Sequence, residues 1–166
     1  MLGLGSSLWF NFAHGIDKPD SVMGFGDSKT REIEANGKKI KITLYYGANL
    51  ERFSSTIEGA AKELATKSYK HCTGIILLYD VSNEESLNHA KVWKDAFVAA
   101  LTSEELVASK FLLLGNKIDK EDERVVSTED GKKVAQDIGS LFAEVSATTG
   151  TNVVEVITSF ASAILQ

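Results

Sequence analysis

Two stretches of this chain, Ile75-Ile76-Leu77-Leu78-Tyr79 and Phe111-Leu112-Leu113-Leu114, are apolar at every position. A strand with one wet face alternates. A run of this length without alternation is instead the mark of a strand covered on both faces, as in a parallel sheet. Parallel strands need crossover connections, and the intervening sequence supplies helical ones. Residues 84–100 follow Ser82-Asn83, a capping pair, and carry Leu87, Val92, Ala96 and Val98-Ala99 at helical spacing. Residues 128–138 carry Val134 and Ile138 four apart, and residues 152–165 carry Val153, Val156, Ile157, Phe160 and Ile164. Both patterns predict amphipathic helices lying on the sheet. A third apolar strand is expected at Leu141-Phe142-Ala143. Upstream, residues 28–35 and 38–46 alternate around Asn36-Gly37, with Ile40, Ile42 and Leu44 on one face, which predicts a β-hairpin. Residues 54–69 are helix-prone, with Ala60, Ala61, Leu64 and Ala65 as a weakly apolar face. The order predicts an α/β, doubly wound, mostly parallel sheet with helices on both faces and functional loops at the strand carboxyl ends.

At 166 residues and 43% hydrophobic content, residues 1–166 suffice for one buried core and make a single domain. The net charge of −5, with no basic block, argues against a nucleic-acid surface or a polybasic membrane patch. The small Lys38-Lys39-Ile40-Lys41 cluster reads as the solvated face of a strand. A single cysteine, Cys72, excludes an intrachain disulfide and fits a reducing compartment as an inert core thiol. His14, His71 and His89 show no metal-ligand spacing with one another or with Cys72. No cysteine lies near the end of the chain, so no direct lipid anchor is expected, and the first residues lack the basic leader and apolar run of a signal peptide. A cytoplasmic protein is expected. Residues 15–27, rich in Gly and Asp and holding the one proline, Pro19, read as a loop.

The chemistry concentrates behind the second apolar run, at Asn116-Lys117-Ile118-Asp119. A carboxylate at the end of a buried strand can accept two hydrogen bonds from the ring N–H and exocyclic amine of guanine, a pair that adenine does not offer. Asn116 and Lys117 would position the loop and cover the base. Ser146 and Ala147 follow the next apolar strand, at the same end of the expected sheet. Asp80 also follows an apolar strand and is read as structural. No Ser/His/Asp or Cys/His constellation can be assembled, so no catalytic residue is assigned.

These motifs acquire weight from their order. Asn36-Gly37-Lys38-Lys39-Ile40-Lys41-Ile42, Glu51-Arg52-Phe53, the run 74–81 with Glu84-Glu85-Ser86, the run 115–119, Gly131-Lys132-Lys133-Val134-Ala135 and the run 145–153 together resemble a Ras-superfamily small GTPase of the Rab-like kind. The resemblance implies the P-loop NTPase fold with a six-stranded sheet, guanine nucleotide with Mg²⁺, and two switch loops that meet protein partners. It makes Asn116, Lys117 and Asp119 the base-specificity residues and Ser146 and Ala147 the second base loop. The family's lysine after that alanine is Thr148 here.

The phosphate half departs from the pattern. A cradle of the form GxxxxGK[ST] uses backbone N–H groups and a lysine for the phosphates and a hydroxyl for Mg²⁺. No such segment is present. Gly24 to Thr30 is a decoy, because Lys29-Thr30 falls in the hairpin. Residues 15–21 place Asp20 and Ser21 where Gly and Lys are needed. The best positional match, Gly3-Leu4-Gly5-Ser6-Ser7-Leu8, has Ser6 in place of the lysine and no strand ahead of it. The expected fold therefore has its first strand missing or replaced. The resemblance makes residues 8–12 the helix after the cradle, the preferred reading. Their aromatic content favours a strand that fills the gap, which a partner chain or a longer N-terminus would otherwise fill. The family's metal-binding threonine falls near Val22, and Tyr46-Gly47-Ala48-Asn49-Leu50 stands for Asp-x-x-Gly-Gln. Leu50 cannot orient a water, and Tyr46 cannot serve a metal as aspartate would. The segment from Phe53 to Gly74 is also longer than the family's usual second switch helix.

Magnitude ranks the two halves. Two charge-assisted bonds to Asp119 contribute at most about 3–6 kcal/mol before ordering costs, which corresponds to roughly millimolar to tens-of-micromolar affinity. The expectation is GTP or GDP binding that is weak at best, with Mg²⁺ disfavoured. The resemblance then points to a non-switching interaction or assembly module, with protein partners in an intracellular or ciliary transport complex. The alternative is a GTP-binding, slowly hydrolysing GTPase whose true first strand and cradle lie upstream of Met1.

Overall fold

The computed structural model describes residues 28–45, 56 and 72–166. Readings of residues 3–8, 8–12, 15–27 and 54–69 and of Val22, Tyr46 and Leu50 lie outside the described residues. The described residues open with a hairpin, β1 (Ser28–Ala35) and β2 (Lys38–Tyr45), paired antiparallel with Ala35 opposite Lys38. Its tight turn follows from Asn36 and Gly37, both at positive φ (53° and 70°), as a two-residue connection demands.

The parallel sheet follows, with strand order β3 (Gly74–Asp80), β4 (Lys110–Asn116), β5 (Leu141–Val145). Helix α1 (Glu84–Ala100) and a short helix, α2 (Ser103–Ala108), connect β3 to β4. A 3₁₀ turn at Glu121–Glu123 and helix α3 (Thr128–Asp137) connect β4 to β5, and α4 (Val153–Ile164) ends the fold.

The unalternated run in β4 is explained by its two covers. Phe111 and Leu113 point into one buried cluster with Leu77 and Tyr79 of β3, Leu87, Ala90 and Phe97 of α1, and Ala135 of α3. Leu112 and Leu114 point the other way, into a cluster with Val145 and with Val153, Ile157 and Phe160 of α4. Helices therefore cover both faces, as the doubly wound reading expects. The hairpin's apolar face joins the second cluster through Ile33, Ile42 and Leu44. Among the described residues its two strands share no ladder with the three parallel ones, and α4 packs against both groups. The sixth strand of the resembling family is not among them.

Two elements differ in detail. On α1 the buried positions are Ser86, Leu87, Ala90, Ala96 and Phe97, whereas Val98 and Ala99, expected on the apolar face, are exposed. The helix phase through Leu87, Ala90 and Phe97 turns them outward despite their apolarity. The short α2 was not anticipated, although Thr102 and Glu105 form a reciprocal capping box, the hydroxyl accepting from Glu105 N and the carboxylate accepting from Thr102 N.

Candidate functional site: the carboxyl edge of the parallel sheet

Strand register assembles the site. Asp80 at the end of β3 stands opposite Asn116 at the end of β4, and Asn116 stands opposite Val145 at the end of β5. Three loops thus leave the sheet side by side. The Asn116 side chain is 2% exposed, and its Oδ1 accepts the amide N–H groups of Lys117 (2.8 Å) and Ala147 (2.9 Å). One carboxamide therefore ties together the two loops assigned to base recognition. Each such bond contributes about 1 kcal/mol net, and its loss in a buried setting costs more.

Asp119 is exposed at the tip of the first loop. Its Oδ1 accepts from Ser146 Oγ at 2.5 Å, and Ser146 Oγ in turn accepts from Thr149 N at 3.1 Å. A carboxylate has room for further donors beside that bond, so Asp119 retains acceptor capacity toward solvent. The five residues Asn116, Lys117, Asp119, Ser146 and Ala147 lie together on these two adjoining loops. Thr148, where the family's lysine would stand, is exposed.

Lys117 occupies the left-handed region, φ 71°, a conformation that costs a side-chain-bearing residue about 1–2 kcal/mol. Its ammonium lies 2.6 Å from Asp80 Oδ2. Asp80 Oδ1 accepts from Ser82 N (2.9 Å) and Ser82 Oγ (2.7 Å). Burial alone would raise the Asp80 pKa, but the Lys117 ammonium and the two Ser82 donors outweigh it and hold the carboxyl below its ordinary range. Sequence reasoning placed Asp80 as structural and did not connect it to Lys117, because only the β3–β4 register makes them neighbours.

A second group of residues, not anticipated, braces the β5 loop from behind. Glu144 accepts from Arg124 Nη1 at 2.9 Å and from Thr128 Oγ1 at 2.9 Å, and its carbonyl accepts from Asn152 Nδ2 at 3.2 Å. Arg124 also pairs with Glu121 (2.9 Å) and donates to the Val126 carbonyl (3.1 Å). Beneath lies Tyr79, fully buried, whose ionisation is pushed well above the phenol range by burial and then by the Glu144 charge. The ring end of Tyr79 explains two glycines: a Cβ on Gly115 or Gly131 would come within 2.7 Å or 2.5 Å of its hydroxyl. Arg124 beside the acidic 121–123 run was the one signal in the sequence for this brace.

The first loop thus presents an exposed carboxylate acceptor, Asp119, and is tied to the second through Asn116 and Ser146. Among the described residues, no group of three His, Cys, Asp or Glu could hold a metal ion.

Comparison with known proteins shows the family. The model of the Ras family matches residues 3–166. The chain belongs to the Ras family. Within the family its similarity is to Rab-like small GTPases. It is 36% identical over 167 residues to the Ras-related protein Rab-8B of Pongo abelii, an alignment covering 98% of this chain and 74% of that protein. It is also 36% identical over 155 residues to the GTP-binding protein ypt2 of Schizosaccharomyces pombe, covering 92% of this chain and 72% of that protein. The Ras-related protein Rab-3A of Homo sapiens is 35% identical over 149 residues, 89% of this chain and 62% of that protein. Ras-family membership implies a guanine-nucleotide site and the P-loop fold, of which the described part is an α/β unit with a three-stranded parallel sheet.

Proposed function

We propose that this Ras-family chain keeps the base-recognising half of a guanine-nucleotide site without a working phosphate half. It then serves as a non-switching interaction or assembly module. The observation that carries the reading is a contrast: Asn116, Lys117, Asp119, Ser146 and Ala147 are interlocked, while the sequence holds no GxxxxGK[ST] segment. Ser6, Val22, Tyr46 and Leu50 at the positions assigned to the cradle lysine, the metal-binding threonine and the second switch support it further. A bound nucleotide would supply the charge that in the family is neutralised by lysine and Mg²⁺. Here the chain offers Asp119 for the base and leaves that charge unmatched, so GTP and GDP binding is weak or absent. The partners are proteins, in intracellular or ciliary transport machinery, and the location is cytoplasmic with membranes or cilia reached through those partners. Calorimetry with GTP and GDP in Mg²⁺, on protein freed of nucleotide, tests the reading. Dissociation constants above about 10 μM are expected, and submicromolar binding contradicts it.

One observation favours a second reading. The two loops assigned to the base are tied to each other, as a nucleotide-binding member would need, and ypt2 is named as GTP-binding. Under that reading the chain binds GTP and, with Leu50 unable to orient the attacking water, hydrolyses it slowly. Single-turnover hydrolysis with radiolabelled GTP separates the two, since any turnover requires the second.

A further inference from the structure

We infer that Asp80 is a positioning residue of the base site, acting through Lys117 to fix the loop that presents Asp119. This inference rests on the reading of residues 116–119 as a retained guanine site and deepens it. A lysine at φ 71° stays there only where its surroundings hold it. Two bonds do so from opposite ends of the residue. Asn116 Oδ1 takes the Lys117 amide at 2.8 Å, and Asp80 Oδ2 takes the ammonium at 2.6 Å. The Lys117 carbonyl then accepts from Lys120 N at 2.9 Å, closing the turn that contains Asp119.

Asp80 is itself immobilised. It closes β3, its side chain is 9% exposed, and its other oxygen holds Ser82 by two bonds. The carboxylate is divided, with one oxygen for the turn after β3 and the other for Lys117. That division makes one substitution selective. In Asp80→Asn the carboxamide oxygen can still accept both Ser82 donors, while its NH₂ group meets the ammonium and cannot pair with it. Asp119 lies two residues beyond Lys117 and is bonded across to Ser146. Release of Lys117 therefore shifts the carboxylate relative to the Ser146-Ala147 segment.

The test uses four ¹⁵N-labelled full-length proteins: wild type, Asp80→Asn, Lys117→Met and the double variant. Amide hydrogen exchange at residues 117–120 is read in the ligand-free state, and guanosine affinity is read from amide shifts of Ser146 and Ala147. In the wild-type background Asp80→Asn speeds exchange at these amides and weakens guanosine about fivefold, the scale of a partly exposed ion pair. In the Lys117→Met background it changes neither further. Equal effects in both backgrounds mark Asp80 as merely structural and overturn the inference, as does no effect in the wild type. Absence of any guanosine shift in the wild type contradicts the guanine reading alone, and the exchange data then decide the role of Asp80.

Discussion

Asn116 sits buried at the end of β4, and its carboxamide oxygen takes two backbone N–H groups from two different loops. Asn116→Ala leaves both amides without that acceptor, and the expected loss is about 2–4 kcal/mol in urea unfolding. A loss below about 0.5 kcal/mol would show that the loops hold without it. Asp80 adds a pH dependence. Its folded pKa is depressed, so its contribution is present above the unfolded value of about 3.9 and is lost as pH falls through the lower folded value. Wild-type stability should decline in this acid range more steeply than that of Asp80→Asn, and parallel curves would contradict the pairing with Lys117. At this scale the sequence was legible in placement, since the loops after two apolar strands do bring Asp119 and Ser146 into contact. It was silent where function depends on a neighbour brought in by register. Asp80 and Lys117, or Arg124 and Glu144, have nothing in their local sequence that names the partner.

Among the elements, the strands and long helices were readable because burial leaves a periodic trace. The run in β4 lacks alternation because its neighbours cover both faces, and α4 buries Val153, Ile157 and Phe160 in the expected phase. The α1 face was read too widely because Val98 and Ala99 are apolar but fall outside the stripe set by Leu87, Ala90 and Phe97. The six-residue α2 is too short for a periodic signal, and only its capping box marks it. Helix α4 packs on both the hairpin and the parallel sheet. Phe160 lies against Gly74, where a Cβ would approach its ring to 2.9 Å. Phe160→Ala should cost about 3–5 kcal/mol and loosen hairpin and sheet together. Protection of the hairpin amides in hydrogen exchange would fall with that of β3. Loss confined to one of them would show that α4 does not couple the two sheets.

For the whole molecule, the described residues supply a sheet edge with two loops cross-tied and a lysine held by a carboxylate of the same chain. The sequence of residues 1–166 holds no GxxxxGK[ST] segment, the motif through which phosphates dominate binding in a switching member of the family. The most direct measurement compares dissociation constants for guanosine, GDP and GTP with and without Mg²⁺ on nucleotide-free protein. The proposed base-only site gives values within about tenfold of one another, in the range from tens of micromolar to millimolar, and indifferent to Mg²⁺. GTP binding a thousandfold or more tighter than guanosine, and dependent on Mg²⁺, would contradict it.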